Sequence, residues 1–395
     1  MNPSNETIHF FYLILLLLGI TSTSIAAEWS GNLSTEVRGF KNNAPSDQQE
    51  DLYSSIAFKP EFFHQWENGQ SITFSAFGRA SDNNESRTRA DIRELYWNYS
   101  ADAWELRLGI RKIFWGVTES VHLVDIINQT DLVEGFYGEE KLGQPMLNFA
   151  WITDLGTTDF FILPGFRERN FSSQDARLRP ALPINSNNAV YESSREKQRI
   201  DAAVRWSHYF GDWDIGISHF YGTSREPRLV FESGRLVPNY DIINQTGLDL
   251  QSTLGSWLWK TEIIRRSSNI KTYYASAIGL EYSFFDLNST GVDIGLVTEW
   301  LYDSREQQAT TPFDNDTMFG LRFALNDAQS AEFLAAIIID NNNKGNIFSL
   351  EASRRVGEQF KLSIEANLFQ NIDTNTLLAS FANDDYAQIE LAYYF

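Results

Sequence analysis

The sequence predicts an all-β protein: a transmembrane antiparallel up-and-down β-barrel of about 18 strands, with long external loops and short periplasmic turns. Three observations predict it. Apolar and polar residues alternate with a period of two over most of the chain beyond residue 28, the mark of strands with one apolar and one polar face. Short turns and long loops alternate between those strands. The chain ends in a strand closed by an aromatic residue, Phe395.

Composition narrows the classes further. The 395 residues carry a net charge of −20, are 43% hydrophobic, 14% aromatic and only 21% charged, and include no Cys. Disulfide scaffolds and Cys-ligated metal centres are excluded. The aromatic content argues against disorder, and the acidic balance argues against binding a nucleic-acid backbone. Beyond residue 27 no apolar run approaches the roughly 18 residues of a membrane helix.

Residues 1–27 read as a secretory signal peptide. The apolar run at 10–20 is too short to span a bilayer, and small residues follow from Thr21 to Ala27, giving cleavage after Ala26 or Ala27. Residues 28–395 then form a single barrel domain. Removal of the head takes away one charged residue, Glu6.

The pattern predicts strands over 29–40, 51–64, 71–82, 87–99, 104–114, 145–153, 158–166, 198–210, 213–223, 241–253, 257–268, 271–285, 292–304, 316–326, 331–341, 345–356, 359–370 and 384–395. Leu106, Leu108 and Ile110 alternate with Glu105, Arg107, Gly109 and Arg111. Ile200 to Phe210 and Lys361 to Leu368 alternate in the same way. Tight turns such as Gly211-Asp212, Gly255-Ser256 and Gly357-Glu358 lie at one end. Longer connections, chiefly 41–50, 83–86, 115–144, 167–197, 224–240, 305–315 and 371–383, lie at the other. An even strand number returns the C-terminus to the side of the N-terminus, and 16 strands also satisfy that rule. Trp97, Tyr99, Trp104, Trp213, Trp257 and Trp259 flank the short turns, as an interfacial aromatic girdle requires.

In the last strand Phe395, Tyr393, Leu391, Ile389 and Ala387 share one face. Leu391, Tyr393 and Phe395 read as the assembly signal by which the bacterial barrel-assembly machinery takes up a strand edge.

Alternation points Arg107, Arg111, Arg205, Lys260, Glu262, Arg266 and Glu299 inward, as a charged lumen wall. The third long connection, 115–144, holds Glu119, Asp125, Asp131, Glu134, Glu139 and Glu140 against a single base, Lys141. Folded inward, these carboxylates make a candidate constriction that favours cations, because a narrow low-dielectric passage focuses their field. The fourth connection is basic, with Arg167, Arg169, Arg177, Arg179 and Arg195 at its heart. It suits either lipopolysaccharide phosphates or anionic solutes at the external mouth.

The segment Arg107-Leu108-Gly109-Ile110-Arg111-Lys112-Ile113-Phe114-Trp115-Gly116, followed by Asp125-Ile126-Ile127-Asn128-Gln129-Thr130-Asp131-Leu132, resembles uncharacterised porin-like outer-membrane β-barrels of proteobacteria. So do Phe161–Arg169 and Gln245–Gln251. Gln129 stands where those proteins carry Pro. The resemblance implies the architecture and a pore, without naming a solute.

The expected function is a non-enzymatic outer-membrane channel for passive diffusion of small polar solutes. A plugged barrel with a structural or docking role is the first alternative, and an outer-membrane hydrolase the second. For the hydrolase the histidine choice is narrow: His64, His122, His208 and His219, of which only His122 lies near Ser120 and Asp125. No metalloprotease, P-loop or dinucleotide motif is present. Neither cofactor nor metal is expected. The expected partners are outer-membrane lipid and lipopolysaccharide, the assembly machinery and small polar solutes, with no nucleic acid; association into a homo-oligomer is compatible with the sequence.

Overall fold

The computed structural model describes residues 27–135 and 138–395. Of the expected signal peptide, residues 1–26 lie outside the described residues, and Ala27 is the first residue of a strand.

In chain order the strands are β1 (Ala27–Phe40), β2 (Leu52–Gln65), β3 (Gln70–Ser81), β4 (Arg89–Ser100), β5 (Trp104–Arg111), β6 (Gln144–Thr153), β7 (Gly156–Pro164), β8 (Val190–Tyr191), β9 (Ile200–Phe210), β10 (Trp213–Thr223), β11 (Arg228–Glu232), β12 (Arg235–Tyr240), β13 (Ile242–Leu254), β14 (Trp257–Ser267), β15 (Thr272–Phe284), β16 (Asp293–Asp303), β17 (Asn315–Ala324), β18 (Glu332–Asp340), β19 (Asn346–Val356), β20 (Phe360–Gln370) and β21 (Tyr386–Tyr394). Eighteen of them form one antiparallel sheet. It closes where β1 pairs β21, from Asn32 opposite Tyr394 to Phe40 opposite Tyr386. Closure leaves no strand of the sheet without a neighbour on either side, which is how a β-protein satisfies most of its backbone in an apolar surround.

The remaining three strands make a small sheet within the loops: β11 and β12 form a hairpin, and β8 lies parallel to β12. The hairpin occupies the 224–240 stretch, which the alternation reads only as a long connection. Its two-residue turn, Ser233-Gly234, has both residues at positive φ, the conformation that matches the twist of paired strands.

Faces follow the alternation. Leu108, Ile217, Phe319 and Ile389 are each about half exposed on the outer wall, and together with their neighbours they form an apolar belt far larger than a soluble surface carries. Near the turn end this belt is aromatic. Trp97 and Tyr99 stack at 6.3 Å, Tyr99 meets Trp104 at 5.2 Å, and Trp257 meets Trp259 at 6.5 Å.

Interior composition departs from the expected polar lumen. Two clusters of buried apolar side chains fill much of the loop half of the barrel. One joins Trp115, Val124, Ile126 and Ile127 to wall residues such as Phe161, Leu163, Phe220 and Ile264. The second gathers Val297, Leu301, Met318, Ile338, Ile347 and Phe369. The physical reason is that the long loops fold inward and need an apolar surface to pack against; each fully buried Val, Ile or Phe contributes about 1.5–3 kcal/mol.

Candidate functional site

The connection between β5 and β6 is stapled at its neck. Asn128 accepts from Ile113 N–H at 2.8 Å and donates to the carbonyls of Arg111 and Leu142, each at 2.8 Å. From that neck the segment crosses the barrel interior. The carboxylate of Glu262 on β14 accepts from Val117 N–H at 2.7 Å, Thr118 N–H at 3.1 Å, the Thr118 hydroxyl at 2.8 Å and Val124 N–H at 3.1 Å. Glu299 on β16 accepts from Glu119 N–H at 2.6 Å and Ser120 N–H at 2.8 Å. Gly116 makes the approach to Glu262 feasible: its φ is +143°, and a Cβ there would lie 2.9 Å from the carboxylate and from His122. Glu262 and Glu299 are therefore anchors for the loop and not free wall charges.

The loop's own carboxylates are ion-paired. Glu119 bridges Lys260 at 3.3 Å and Arg322 at 2.8 Å. Burial pushes its carboxyl up, but those two cations outweigh burial and leave it below the usual range. Asp125 sits 3.3 Å from Lys141, and there burial wins and raises its carboxyl. Asp131 pairs with Arg93 at 2.6 Å and also with Arg89. Glu134 pairs with Arg79 at 2.9 Å and Arg89 at 3.2 Å, within a cluster completed by Glu36 and Arg87. Glu140 lies 3.6 Å from Lys59. Glu139 has no ion pair among the described residues.

The other charges assigned to the wall are held in hydrogen-bonded pairs. Arg107 and Arg111 both donate to Asn148, at 3.1 and 2.9 Å, and Arg107 also pairs with Glu105. Arg205 grips Asp249 through two hydrogen bonds of 2.6 Å and lies 5.2 Å from the Trp115 ring centroid. Arg266 donates to Glu226 at 2.8 Å and Gln245 at 2.7 Å.

The fourth connection is tied into the same interior. Arg177 is fully buried; it donates to Asp384 at 2.7 Å and lies 4.4 Å from the Phe40 ring centroid. Placing it at an exposed mouth is thus corrected: three donor groups find acceptors on Asp384, Asn42 and Asn383. Arg169 reaches Gln129 at 3.2 Å, and Gln129 in turn donates to the Arg167 carbonyl at 3.1 Å, joining the two loops. Arg167 bonds Asp91 at 2.9 Å. Arg179 donates to the nearby Pro180 carbonyl, and Arg195 is exposed.

Sequence reasoning missed Asn128, Gln129, Arg79, Arg87, Arg89, Arg93 and Arg322. Most of them find partners far along the chain, Asn128 being the exception with partners 14, 15 and 17 positions away, but one local signal exists. The adjacent apolar pairs Ile126-Ile127 and Ile263-Ile264 break strict alternation where loop and wall meet.

For a hydrolytic site the geometry is poor. His122 packs edge-on against Phe114 at 4.6 Å and lies 3.8 Å from Glu262. Ser120 Oγ has no hydrogen-bond partner among the described residues. His208 and His219 lie on the outer face, His219 bonded to Thr246 at 2.9 Å.

Solved structures similar to this barrel in fold include two porins. A BenF-like porin from Pseudomonas fluorescens Pf-5 is 8% identical and aligns over 94% of this chain and 98% of its own, with a TM-score of 0.56. OccK9 (OpdG) of Pseudomonas aeruginosa is 11% identical over 94% and 98%, with a TM-score of 0.55. No family model and no curated protein matches the chain. The barrel is porin-like in fold.

Proposed function

We propose that this barrel is an outer-membrane channel for passive diffusion of small polar solutes, with the 115–144 loop as its constriction. One observation carries the reading: a loop emerging from β5 is held against β14 and β16 by Glu262 and Glu299, deep inside an 18-stranded wall. A barrel of that size encloses an aqueous channel unless a loop fills it, and a loop fixed at both neck and tip narrows the passage to a defined width.

The field of the constriction is weaker than the loop's sequence charge suggests, because Glu119, Asp131 and Glu134 each face cations. We assign a mild cation preference, with Glu139 as its unpaired contributor. The apolar outer belt, the aromatic girdle and the expected signal peptide support outer-membrane residence. Leu391, Tyr393 and Phe395 support uptake by the assembly machinery: Tyr393 packs on Phe360 at 5.2 Å and Phe395 on Phe58 at 6.0 Å.

A plugged barrel with a docking role has one observation in its favour, the apolar filling of the loop half. Planar-bilayer recording separates the two. Discrete conductance steps from refolded protein support the channel, and their absence from correctly folded protein supports the plug.

A further inference from the structure

The barrel wall has a notch. β4 begins at Arg89, yet it pairs with β5 only from Leu95, opposite Ile110, to Ser100. β5 stops at Arg111, where it pairs with Gln144. Residues 89–94 therefore have no ladder partner on that side. Arg93 is the extra residue of a β-bulge opposite Ser75 and Ala76, and bulges bend a strand and end its pairing. Gly143 closes the lower corner: a Cβ there would lie 2.2 Å from the Arg93 carbonyl oxygen.

A cavity of about 570 Å³ occupies the notch, lined by Ala90 and Ile92 of β4, Ile110 of β5 and Pro145 of β6, a size typical of small-ligand pockets. Ile92 is 41% exposed on the outer wall. Pro145 has no N–H to leave unpaired beside it. The inner end is blocked. Phe77 is buried there, with Arg93 4.8 Å, Lys59 5.7 Å, Arg79 5.8 Å and Arg89 5.9 Å from its ring centroid. An apolar cleft sealed by a ring under four cations offers no passage to the lumen.

The upper rim holds two cations, Arg167 and Lys112, with the Asp91 carboxylate beside Arg167. Arg167 spans the notch, donating to Asp91 and to the Gly143 carbonyl, each at 2.9 Å. Its other N–H groups have no acceptor among the described residues. Lys112, two residues beyond Ile110, is exposed and forms no ion pair among the described residues.

We propose that this cleft holds one acyl chain of a net-anionic phosphate lipid of the outer leaflet, whose phosphate meets Arg167 and Lys112. The inference rests on the reading of the barrel as membrane-spanning. In hydrocarbon an open notch forfeits packing contacts on every wall, so a chain fills it. Guanidinium and ammonium groups at the rim then select an anionic head group.

Native mass spectrometry of the full barrel in mild detergent tests this, with lipid A, a phosphatidylglycerol and a phosphatidylcholine as probes. Wild type is expected to retain one anionic lipid and to discriminate against phosphatidylcholine. Ala90→Trp, which fills the cleft, should lower retention about tenfold, a change of ~1.4 kcal/mol. Lys112→Gln, which breaks no contact within the protein, should erode the head-group preference. Equal retention by wild type and Ala90→Trp, or no preference between phosphatidylglycerol and phosphatidylcholine, would overturn the proposal. Insertion is read separately, from protection of the barrel against protease in liposomes. Loss of that protection in wild type counts against the membrane reading and not against the cleft.

Discussion

Glu262 of β14 holds Thr118 of the 115–144 loop twice, accepting its backbone N–H at 3.1 Å and its hydroxyl at 2.8 Å. The same carboxylate also takes Val117 and Val124 N–H. Hydrogen bonds to a charged acceptor contribute about 1.5–3 kcal/mol each, and a buried donor left without one costs about 1–3 kcal/mol. Glu262→Gln replaces one acceptor oxygen by a donor facing donors. A Glu-specific protease, which cuts after acids such as Glu119 in the anchored segment, is expected to cut the loop in that variant while sparing it in wild type, with the barrel itself intact on a gel. A loop equally resistant in both would show that Glu262 is not its anchor.

A second expectation concerns Asp131, whose carboxylate sits between Arg89 and Arg93. Removing one partner of a buried pair strands the other charge, at a cost near ~3 kcal/mol. Asp131→Asn should therefore lower the barrel's unfolding temperature, and it should not by itself abolish cation preference. Reversal potentials across a salt gradient, measured beside the melting curve, check both halves.

Glu139 behaves differently, because it has no ion pair among the described residues. Glu139→Gln should reduce cation preference with no loss of stability. Glu119→Gln should shift preference further toward anions, since it uncovers Lys260 and Arg322 together.

Acid should release the loop that carries the hairpin. Burial pushes the Glu226 carboxyl up, but Arg266, Arg305 and Arg169 hold it at about 2. A carboxylate with a lowered value adds stability that is complete above its unfolded value near ~4.3. That stability fades as pH falls from there through about 2. Protease resistance of residues 224–240 should be constant from neutral pH to about 5 and decline below ~4. In Glu226→Gln the decline should be shallower; an unchanged acid profile would remove Glu226 from the role.

How far the sequence reveals this protein depends on distance along the chain. Period-two patterning locates every barrel strand to within a few residues, because alternation is local: Ile200 through Phe210 announces its own two faces. The Ser233-Gly234 hairpin was equally local, but its position within a long connection masked it. The loop's docking was not legible. Glu262 reads as one more inward charge until Val117, some 145 positions away, is seen to donate to it. Arg177 misled for the same reason, since its net-basic neighbourhood describes a surface while Asp384 lies 207 positions away. Ion pairing across the barrel converts loop charge into attachment, and no spacing rule exposes that.

Single-channel recording on refolded protein in planar bilayers, comparing wild type with Glu262→Gln, bears most directly on the constriction. Wild type should give discrete steps of one size. The variant, with its loop released from β14, should give larger or noisier steps. Steps identical in both proteins, or no steps from protein that runs as a folded barrel on a gel, would contradict a channel narrowed by the anchored loop.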